Sequence, residues 1–370
     1  MQLWPGFAFL SIARPAPTPI TCIKSSTTFE ALISCFDALT VPANFYTDTT
    51  YLAAQPSPQE LLDFQSLVTA LLYVDGNCSS VPIPPSIAGI YAVSLFPSTD
   101  SGAQFCIAAE STSEGGAYAK GWGLFAVPAT RSAIQRDIHL SAPHPAFDLF
   151  TPQQAGALFH AVGARSLFIS GRQRMALAEP STCVVPTGAG TVYYKTDATH
   201  DTEEPFFAVN AAIRAYLAAN GGCPNPSCAF IQFHGKSAST CPTDTMFVSA
   251  GLGRSASSLA WYTDADASRP AVRLAHSLML AFAATGAIIS LPSDNTSTCA
   301  LTATSNVVGR LLNGVPSGEL CTQGATAATA SGAFVHVEQA VGVRQDAEGG
   351  VRGVGGGVEG GVPRAGGVGV

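Results

Sequence analysis

Two hydrophobic spacings alternate along the chain between Tyr51 and Gly342. Short apolar runs bounded by turn residues predict β-strands, whereas longer stretches with apolar residues every three or four positions predict helices. The predicted strands are IAGIYAVSLF, QFCIAAES, GWGLFAVPA, DIHLSA, RSLFISG, AFIQFHG, AIISL and AFVHVEQ.

The predicted helices alternate with these strands. One begins at Ser57, a side chain suited to cap the first turn, which Pro58 follows at the first helical position. Thr151 and Pro152 form the same signal, and further helices are predicted over 203–219 and in RPAVRLAHSLMLAFAATG. This alternation predicts an α/β protein with three layers, α/β/α, around a mixed and mostly parallel central sheet.

The domain organisation follows from the same pattern. We expect a single α/β domain over residues 41–341, with its chemical motifs over 137–339, after an N-terminal extension over 1–40. The final segment, 342–370, is rich in Gly and Val without periodicity, so we expect it to be disordered.

Composition narrows the class of protein. Charged residues make up only 12% of the chain, about half the usual fraction, and the net charge is −7. Nucleic-acid binding needs clustered Lys and Arg, and we find no basic stripe, so we expect no nucleic-acid partner.

Cysteine usage points to an oxidising compartment. The ten cysteines form no CxxC pair, which argues against a thiolate zinc cluster and fits disulfides, with Cys223 and Cys228 able to close a small loop. Sequons at Asn77 and Asn295 predict a glycoprotein. We therefore expect a secreted protein, although MQLWPGFAFLSIARPAP is a weak signal peptide, and we expect no membrane span.

Several polar residues follow predicted strands, where parallel sheets collect their chemistry. His144 and Asp148 come after DIHLSA, and His234 comes after AFIQF. Catalytic zinc commonly takes two His and one carboxylate and leaves a fourth position for water. Glu338, an acid within the apolar strand AFVHVEQ, then suits the role of proton shuttle.

Each of these residues also has a purely structural interpretation. His144 lies between two prolines, and its imidazole could simply form a hydrogen bond within a turn. Asp148 could simply interact with the dipole of the following helix. His234 could be a core histidine, and Glu338 could pair with an arginine. The case for a site depends on all four lying at the same ends of successive strands.

The order of these motifs resembles that of phage-type poly-γ-glutamate hydrolases and their zinc-carboxypeptidase-like relatives. The matching blocks are PHPAFDLFTPQQA, FIQFHG, SNVVGRLLNG and AFVHVEQ, within Asp137 to Gln339. The chain also resembles a group of fungal secreted proteins with HP-x-x-D, GR-x-R, HG and VEQ blocks.

The resemblance implies a carboxypeptidase-like fold and a zinc-dependent hydrolase that cleaves a peptide or γ-glutamyl-type amide bond in a small peptide-like or polyglutamate-like substrate. It implies zinc ligands His144, Asp148 and His234, with Glu338 as general base and acid. It further implies that Arg310, a second catalytic residue beside Glu338, holds the substrate's carboxylate or carbonyl, and that Asn306 binds the substrate with it. The chain departs from the family at Asp148, which is Asp rather than Glu and follows the His one residue sooner.

Three further residues are candidates for substrate binding. Arg172 and Arg174 follow the strand RSLFIS, and their alternative is a solvated loop pair; His200 lies in TDATHDTEE and could face the pocket. Two other functions stay open, namely a metal-free secreted binding protein on the same fold and a serine hydrolase that uses Ser237 or Ser239. We find no P-loop, dinucleotide fingerprint or GxSxG elbow.

Overall fold

The computed structural model describes residues 17–186, 188, 190–263, 268–345 and 349–364. Most of the segment interpreted as a weak signal peptide lies outside these ranges. The helices are α1 (Pro19–Ser25), α2 (Phe29–Asp37), α3 (Asp48–Ala54), α4 (Pro58–Leu72), α5 (Thr151–Ala161), α6 (Pro205–Ala219), α7 (Ala256–Thr263), α8 (Pro270–Ala281), α9 (Val307–Leu312), α10 (Val341–Gln345) and α11 (Gly349–Gly361).

The strands form one large sheet and one small hairpin. They are β1 (Tyr91–Pro97), β2 (Gln104–Glu110), β3 (Ser113–Glu114), β4 (Ala117–Tyr118), β5 (Leu124–Pro128), β6 (Arg136–Ala142), β7 (Ala164–Ile169), β8 (Cys228–Gly235), β9 (Met246–Ser249), β10 (Ile289–Ser290) and β11 (Phe334–Gln339). The large sheet has the order β1-β2-β5-β7-β6-β8-β11-β9-β10, and β3 pairs with β4.

The centre of the sheet is parallel and its flanks bring in antiparallel pairs. Neighbouring strands β7, β6, β8 and β11 run in the same direction. Antiparallel pairs join β1, β2, β5 and β7 on one side and β11 with β9 on the other. The predicted mixed sheet is confirmed, and β6, α5 and β7 form the expected β-α-β unit; β9 was not predicted from the sequence.

Side chains on the two faces of the sheet belong to two separate cores. Leu167 and Ile169 of β7 join the core of α2, α5, α8 and α11, whereas Phe168 joins that of α4, α6 and α9. This alternation is the period-2 pattern of a strand covered on both faces. The three-layer α/β/α architecture is therefore confirmed.

Both ends of the chain depart from the predicted organisation. Helices α1 and α2 fall within the expected N-terminal extension, yet Cys22 of α1 and Phe29, Leu32 and Ile33 of α2 are fully buried in the main core. The extension is thus part of the domain as far as it is described.

The segment expected to be disordered contains α11, which packs against α8. Val354, Val358 and Val362, spaced by four residues, are fully buried, and a Cβ on Gly357 would lie 2.4 Å from Leu278 Cδ2. Glycine here lets two helices approach closely, and the valines supply a helical apolar stripe. Composition alone obscured this stripe, which is why the prediction of disorder is wrong for these residues.

The ten cysteines form five disulfides: Cys22–Cys35, Cys78–Cys106, Cys183–Cys321, Cys223–Cys228 and Cys241–Cys299. The small loop expected at Cys223–Cys228 is present, and full pairing is consistent with a secreted protein. Asn77 and Asn295 are both exposed. Among the described helices, none has the length and apolar character needed to cross a membrane.

Candidate metal centre

A tight turn after β6 holds the first two candidate ligands. The Asp148 amide donates to the His144 carbonyl at 2.9 Å, and the Thr151 hydroxyl donates to the Asp148 carbonyl at 2.7 Å. Helix α5 begins at Thr151, after Phe150 at φ 71°. This start lies one residue earlier than the sequence predicted, since Thr151 was expected to be the cap and Pro152 the first helical residue. The turn thus directs His144 and Asp148 toward each other over a rigid helix start.

Three predicted ligands come together at this point. His144 Nδ1 lies 3.1 Å from Asp148 Oδ2, and His234 Nδ1 lies 3.5 Å from the same oxygen. One ligand atom from each residue lies within 4.8 Å of the others, and all three side chains are buried. The structure therefore contains a compact His/Asp/His cluster at the carboxyl ends of β6 and β8.

Glu338 lies beside this cluster on β11. Its register partner on the parallel strand β8 is His234, and on the antiparallel strand β9 it is Phe247. Its Oε1 lies 3.4 Å from His336 Nε2, two residues earlier on the same face of the strand. Strand pairing thus brings the predicted proton shuttle next to a predicted ligand.

Each candidate histidine has a partner at its other ring nitrogen. His144 Nε2 lies 3.1 Å from Asp197 Oδ1, and His234 Nε2 lies 3.4 Å from Gln232 Oε1. Asn306, which caps α9, donates to that Gln232 oxygen at 2.7 Å. Metal-binding histidines usually have such partners, which fix the tautomer and the ring orientation.

Burial and neighbouring charged groups together set the pKa values of these side chains. Burial lowers the pKa of His144, but the Asp197 and Asp148 carboxylates outweigh it and raise the net pKa. Burial and the neighbouring His336 lower the pKa of His234 to about 4, which favours its neutral, ligating form. Burial raises the pKa of Glu338, yet the hydrogen bond from His336 brings it below its ordinary value.

The donor set fits zinc. Zinc binds His nitrogen and carboxylate oxygen at about 2.0–2.2 Å, so neighbouring ligand atoms of a tetrahedral site lie roughly 3.3 Å apart. The distances of 3.1 and 3.5 Å in the cluster bracket that value. Two of the three ligand pairs thus have the spacing of such a site, and the third lies within 4.8 Å. His144, Asp148 and His234 could therefore hold such an ion, with Asp148 where the family that the chain resembles has Glu.

Two further groups of side chains have metal-like spacing in the described part of the chain. His234, His336 and Glu338 form one of them, and it shares His234 with the first cluster. Glu30, Asp100 and His160 form the other, at a partly exposed position. Of the three groups, only the cluster of His144, Asp148 and His234 consists entirely of buried residues.

The cluster opens into a cleft of about 520 Å³. Arg174 and His200 line it, and Tyr193 stacks on the His200 ring with centroids 3.6 Å apart. Arg174 pairs with Asp197 and lies over the exposed ring of Phe147, 5.1 Å from its centroid. The Arg174 guanidinium and the His200 imidazole thus line the space beside the candidate metal site.

Arg172 does not reach the cleft. It is fully buried, its Nη1 donates to Glu204 at 2.7 Å, and its Nη2 donates to the carbonyls of Ala54 and Lys120. The Arg172 guanidinium therefore links three distant segments of the chain, and its donors are not available to a substrate. This corrects the expectation from the SGRQR motif.

Arg310 and Asn306, which the resemblance implies hold the substrate, lie at two different places relative to the cleft. Arg310 donates to the Thr304 and Leu320 carbonyls and lines a second groove beside the cleft, sharing Tyr193 with it. Asn306 lines the cleft but is 2% exposed and bonds to Gln232, so it supports His234.

The two candidate serines are exposed and bond to neighbouring hydroxyls. Ser237 Oγ lies 3.1 Å from Ser239 Oγ and 2.8 Å from Thr240 Oγ1. Across the described ranges, neither serine forms a hydrogen bond with a histidine, as an activated nucleophile would require.

Sequence reasoning missed four residues around the cluster. Asp197 and His336 contact predicted site residues, and Lys236 lines the cleft while donating to the Thr240 and Cys241 carbonyls. Arg344, from the segment expected to be disordered, packs against Gly235, where a Cβ would lie 2.1 Å from its Nη1. The glycine of the HG pair is the one sequence feature related to Arg344, since a Cβ there would clash with the guanidinium as it is placed.

Comparisons with known proteins identify no family. No family model matches the chain, and no curated protein matches it. Gene product Atu2144 from Agrobacterium tumefaciens is similar to the chain at 14% identity, with 60% of this chain and 88% of that chain covered and a TM-score of 0.32. A mutant of tomato leucine aminopeptidase is similar at 12% identity, with 89% and 61% covered and a TM-score of 0.27. Both similarities are too weak to bear on function.

Proposed function

We propose that the protein is a secreted, zinc-dependent hydrolase that cleaves an amide bond of a peptide or γ-glutamyl type. The observation that carries this proposal is the buried His144, Asp148 and His234 cluster beside Glu338, at the carboxyl ends of adjacent strands. The five disulfides support the secreted location, because disulfides form and persist in oxidising compartments.

His144, Asp148 and His234 would hold the metal. All three residues line the cleft, so the remaining coordination position would face it. Two imidazoles and one carboxylate are a donor set that catalytic zinc uses. When bound, zinc polarises a carbonyl and lowers the pKa of water to about 7. The cluster is buried, so the ligands are shielded from competing solvent.

Glu338 would act as the general base and then deliver the proton to the leaving amine. Its carboxylate lines the cleft, and its lowered pKa means that it is ionised and able to accept a proton at neutral pH. The hydrogen bond with His336 holds it in place beside the ligands. A positioned base of this kind contributes roughly 10²–10⁴-fold to a rate.

Arg174, His200 and Lys236 would bind the substrate. They line the cleft, and an arginine and a lysine favour a substrate that carries a carboxylate. Arg310 would bind a second acidic group in the adjoining groove, because its charge has no acidic partner within salt-bridge distance in the described residues. A small peptide-like or polyglutamate-like substrate fits this distribution of charge.

Metal analysis and activity together test the proposal. We expect one zinc per chain, release of free amine from peptide or polyglutamate substrates, loss of activity on chelation and recovery with added zinc. Absence of stoichiometric metal, or full activity after chelation, would refute the proposal and favour the metal-free binding protein. Two metal ions per chain would instead place Glu338 among the ligands and refute its role as base.

Three variants sharpen the test. We expect His234→Ala to lose both metal and activity, and Glu338→Gln to keep the metal while losing roughly 10²–10⁴-fold in rate. His276→Ala removes an exposed histidine of α8 and is the matched control, with both properties unchanged. A Glu338→Gln variant with normal activity would contradict the proposed base.

A further inference from the structure

Asp197 is a fully buried carboxylate that touches three groups of the cleft. Its Oδ1 lies 3.1 Å from His144 Nε2 and 2.8 Å from His200 Nδ1, and its Oδ2 pairs with Arg174. The residue lies 53 positions after His144, in the loop that precedes α6. One carboxylate thus connects a candidate metal ligand with both predicted substrate-binding side chains of that wall.

The loop itself holds this carboxylate in place. Oδ1 accepts from the Thr199 amide at 3.2 Å and from the Thr199 hydroxyl at 3.0 Å. A buried charge is costly unless it is paired and hydrogen-bonded, and Asp197 satisfies both conditions. Its orientation is therefore determined before any metal or substrate binds.

The contact with His144 bears on how that ring can bind a metal. When the Nε2–H of the ring donates to a carboxylate, its Nδ1 carries the lone pair, and Nδ1 is the atom that faces Asp148 at 3.1 Å. Such a partner also raises the basicity of the ligand. Asp197 and Asp148 therefore lie at opposite nitrogens of one imidazole, one as acceptor and the other as a fellow ligand.

We propose that Asp197 is a positioning residue that orients His144 for the metal and at the same time holds Arg174 and His200 for the substrate. This inference rests on the proposed metal site. It goes further, because it makes metal retention and substrate binding depend on a single carboxylate outside the ligand set. Loss of that carboxylate affects both properties, whereas loss of either cleft side chain affects only substrate binding.

The decisive variant is Asp197→Asn, which keeps the shape and removes the charge. We expect its zinc affinity, measured by competition with a chromophoric chelator, to fall 10- to 100-fold. With zinc saturating, we expect KM to rise more than kcat falls. The cobalt-substituted protein should show a changed visible absorption spectrum, since His144 is less firmly oriented.

Two controls separate this role from a general loss of structure. Asp201→Asn alters another buried acid of the same loop, which bonds to Ser181 and the Glu203 amide, and should leave zinc affinity unchanged. Arg174→Ala should raise KM while zinc affinity stays within about twofold, because it leaves the His144 contact intact. Equal loss of zinc affinity in Asp201→Asn and Asp197→Asn would overturn the inference.

A further variant decides the matter if Asp197→Asn does not fold. Thr199→Val removes the hydroxyl that donates to Asp197 Oδ1 at 3.0 Å and also lies 3.3 Å from His144 Nε2, so the loop orients both groups less firmly. We expect about a twofold to tenfold loss of zinc affinity, and unchanged affinity overturns the inference. A wild-type protein that binds no zinc refutes the proposed function itself. Wild-type zinc binding with an unchanged affinity in Asp197→Asn refutes only the role of Asp197.

Discussion

Gly235 follows the candidate ligand His234, and the guanidinium of Arg344 occupies the space that a side chain there would need. A Cβ at this position would lie 2.1 Å from Arg344 Nη1 and 2.4 Å from Cζ. Arg344 is 7% exposed, and its Nη1 donates to the Leu149 carbonyl at 2.6 Å. Gly235→Ala therefore forces a buried, hydrogen-bonded arginine to move.

The expected cost follows from that hydrogen bond. A bond from a charged donor contributes about 1.5–3 kcal/mol, so we expect Gly235→Ala to lower the free energy of unfolding by about that amount. Burial lowers the pKa of Arg344, and the Asp148 and Glu338 carboxylates partly offset this effect. A displaced Arg344 would also move a positive charge away from the Asp148 and Glu338 carboxylates.

A double-mutant cycle provides the test, measured by urea unfolding with the disulfides intact. In an Arg344→Ala background, Gly235→Ala should be almost neutral, within about 0.5 kcal/mol, because the clash is gone. Gly89→Ala is the control, since a Cβ there meets nothing within 4 Å. An equal cost of Gly235→Ala in both backgrounds would refute the reasoning.

Three further predictions concern the rest of the fold. The hydrogen bond to Glu30 raises the pKa of the half-buried His160, so its stabilisation is present below about pH 6.5 and is lost as pH rises through the raised pKa. The unfolding free energy of wild type relative to His160→Gln should fall, by less than about 1 kcal/mol, between pH 5.5 and pH 8.5, and no change would contradict this. Replacing the two cysteines of the Cys183–Cys321 disulfide by serines should destabilise the protein by about 5 kcal/mol, against about 2 kcal/mol for Cys223–Cys228. The reason is that the first disulfide closes a far longer loop. Equal losses of unfolding free energy, measured with urea, would refute the loop argument. Deletion of 349–370 should expose the apolar face of α8 and increase binding of a hydrophobic dye, and unchanged binding would show that α11 does not cover it.

Local pattern was sufficient for most of the sheet. The strands from β5 to β8 and β11 were predicted because each is a short apolar run between turn residues, and a strand covered on both faces needs that pattern. Strand β9, only four residues long, was missed because so short a segment carries little periodicity. The cap at Ser57 is likewise a local property and was predicted from the sequence; the structure adds Glu60, which completes a capping box.

The candidate ligands could also be predicted, for a reason of topology. Parallel neighbours end at the same edge of a sheet, so His144, His234 and Glu338, each at a strand end, were expected to meet there. Their spacing along the chain carries no such information. The alternation of strands and helices was therefore the part of the sequence that predicted the site.

The partners of those residues depended on the tertiary structure. Arg172 and Arg174 are two positions apart and chemically alike, yet one is buried against Glu204 and the other faces the cleft with Asp197. Which acid lies opposite each arginine depends on how a distant loop packs. No local pattern encodes that choice.

The same distinction applies to the whole molecule. The sequence by itself determined most of the segments that become strands and helices and which strand ends carry the candidate metal-binding side chains, because these follow from periodicity and residue type. Only the tertiary structure decided that Asp197 supports His144, that Arg344 fills the space beside Gly235, and that α11 covers α8. These contacts join residues far apart in the chain, and their energies depend on burial and close packing, which exist only once the layers have assembled.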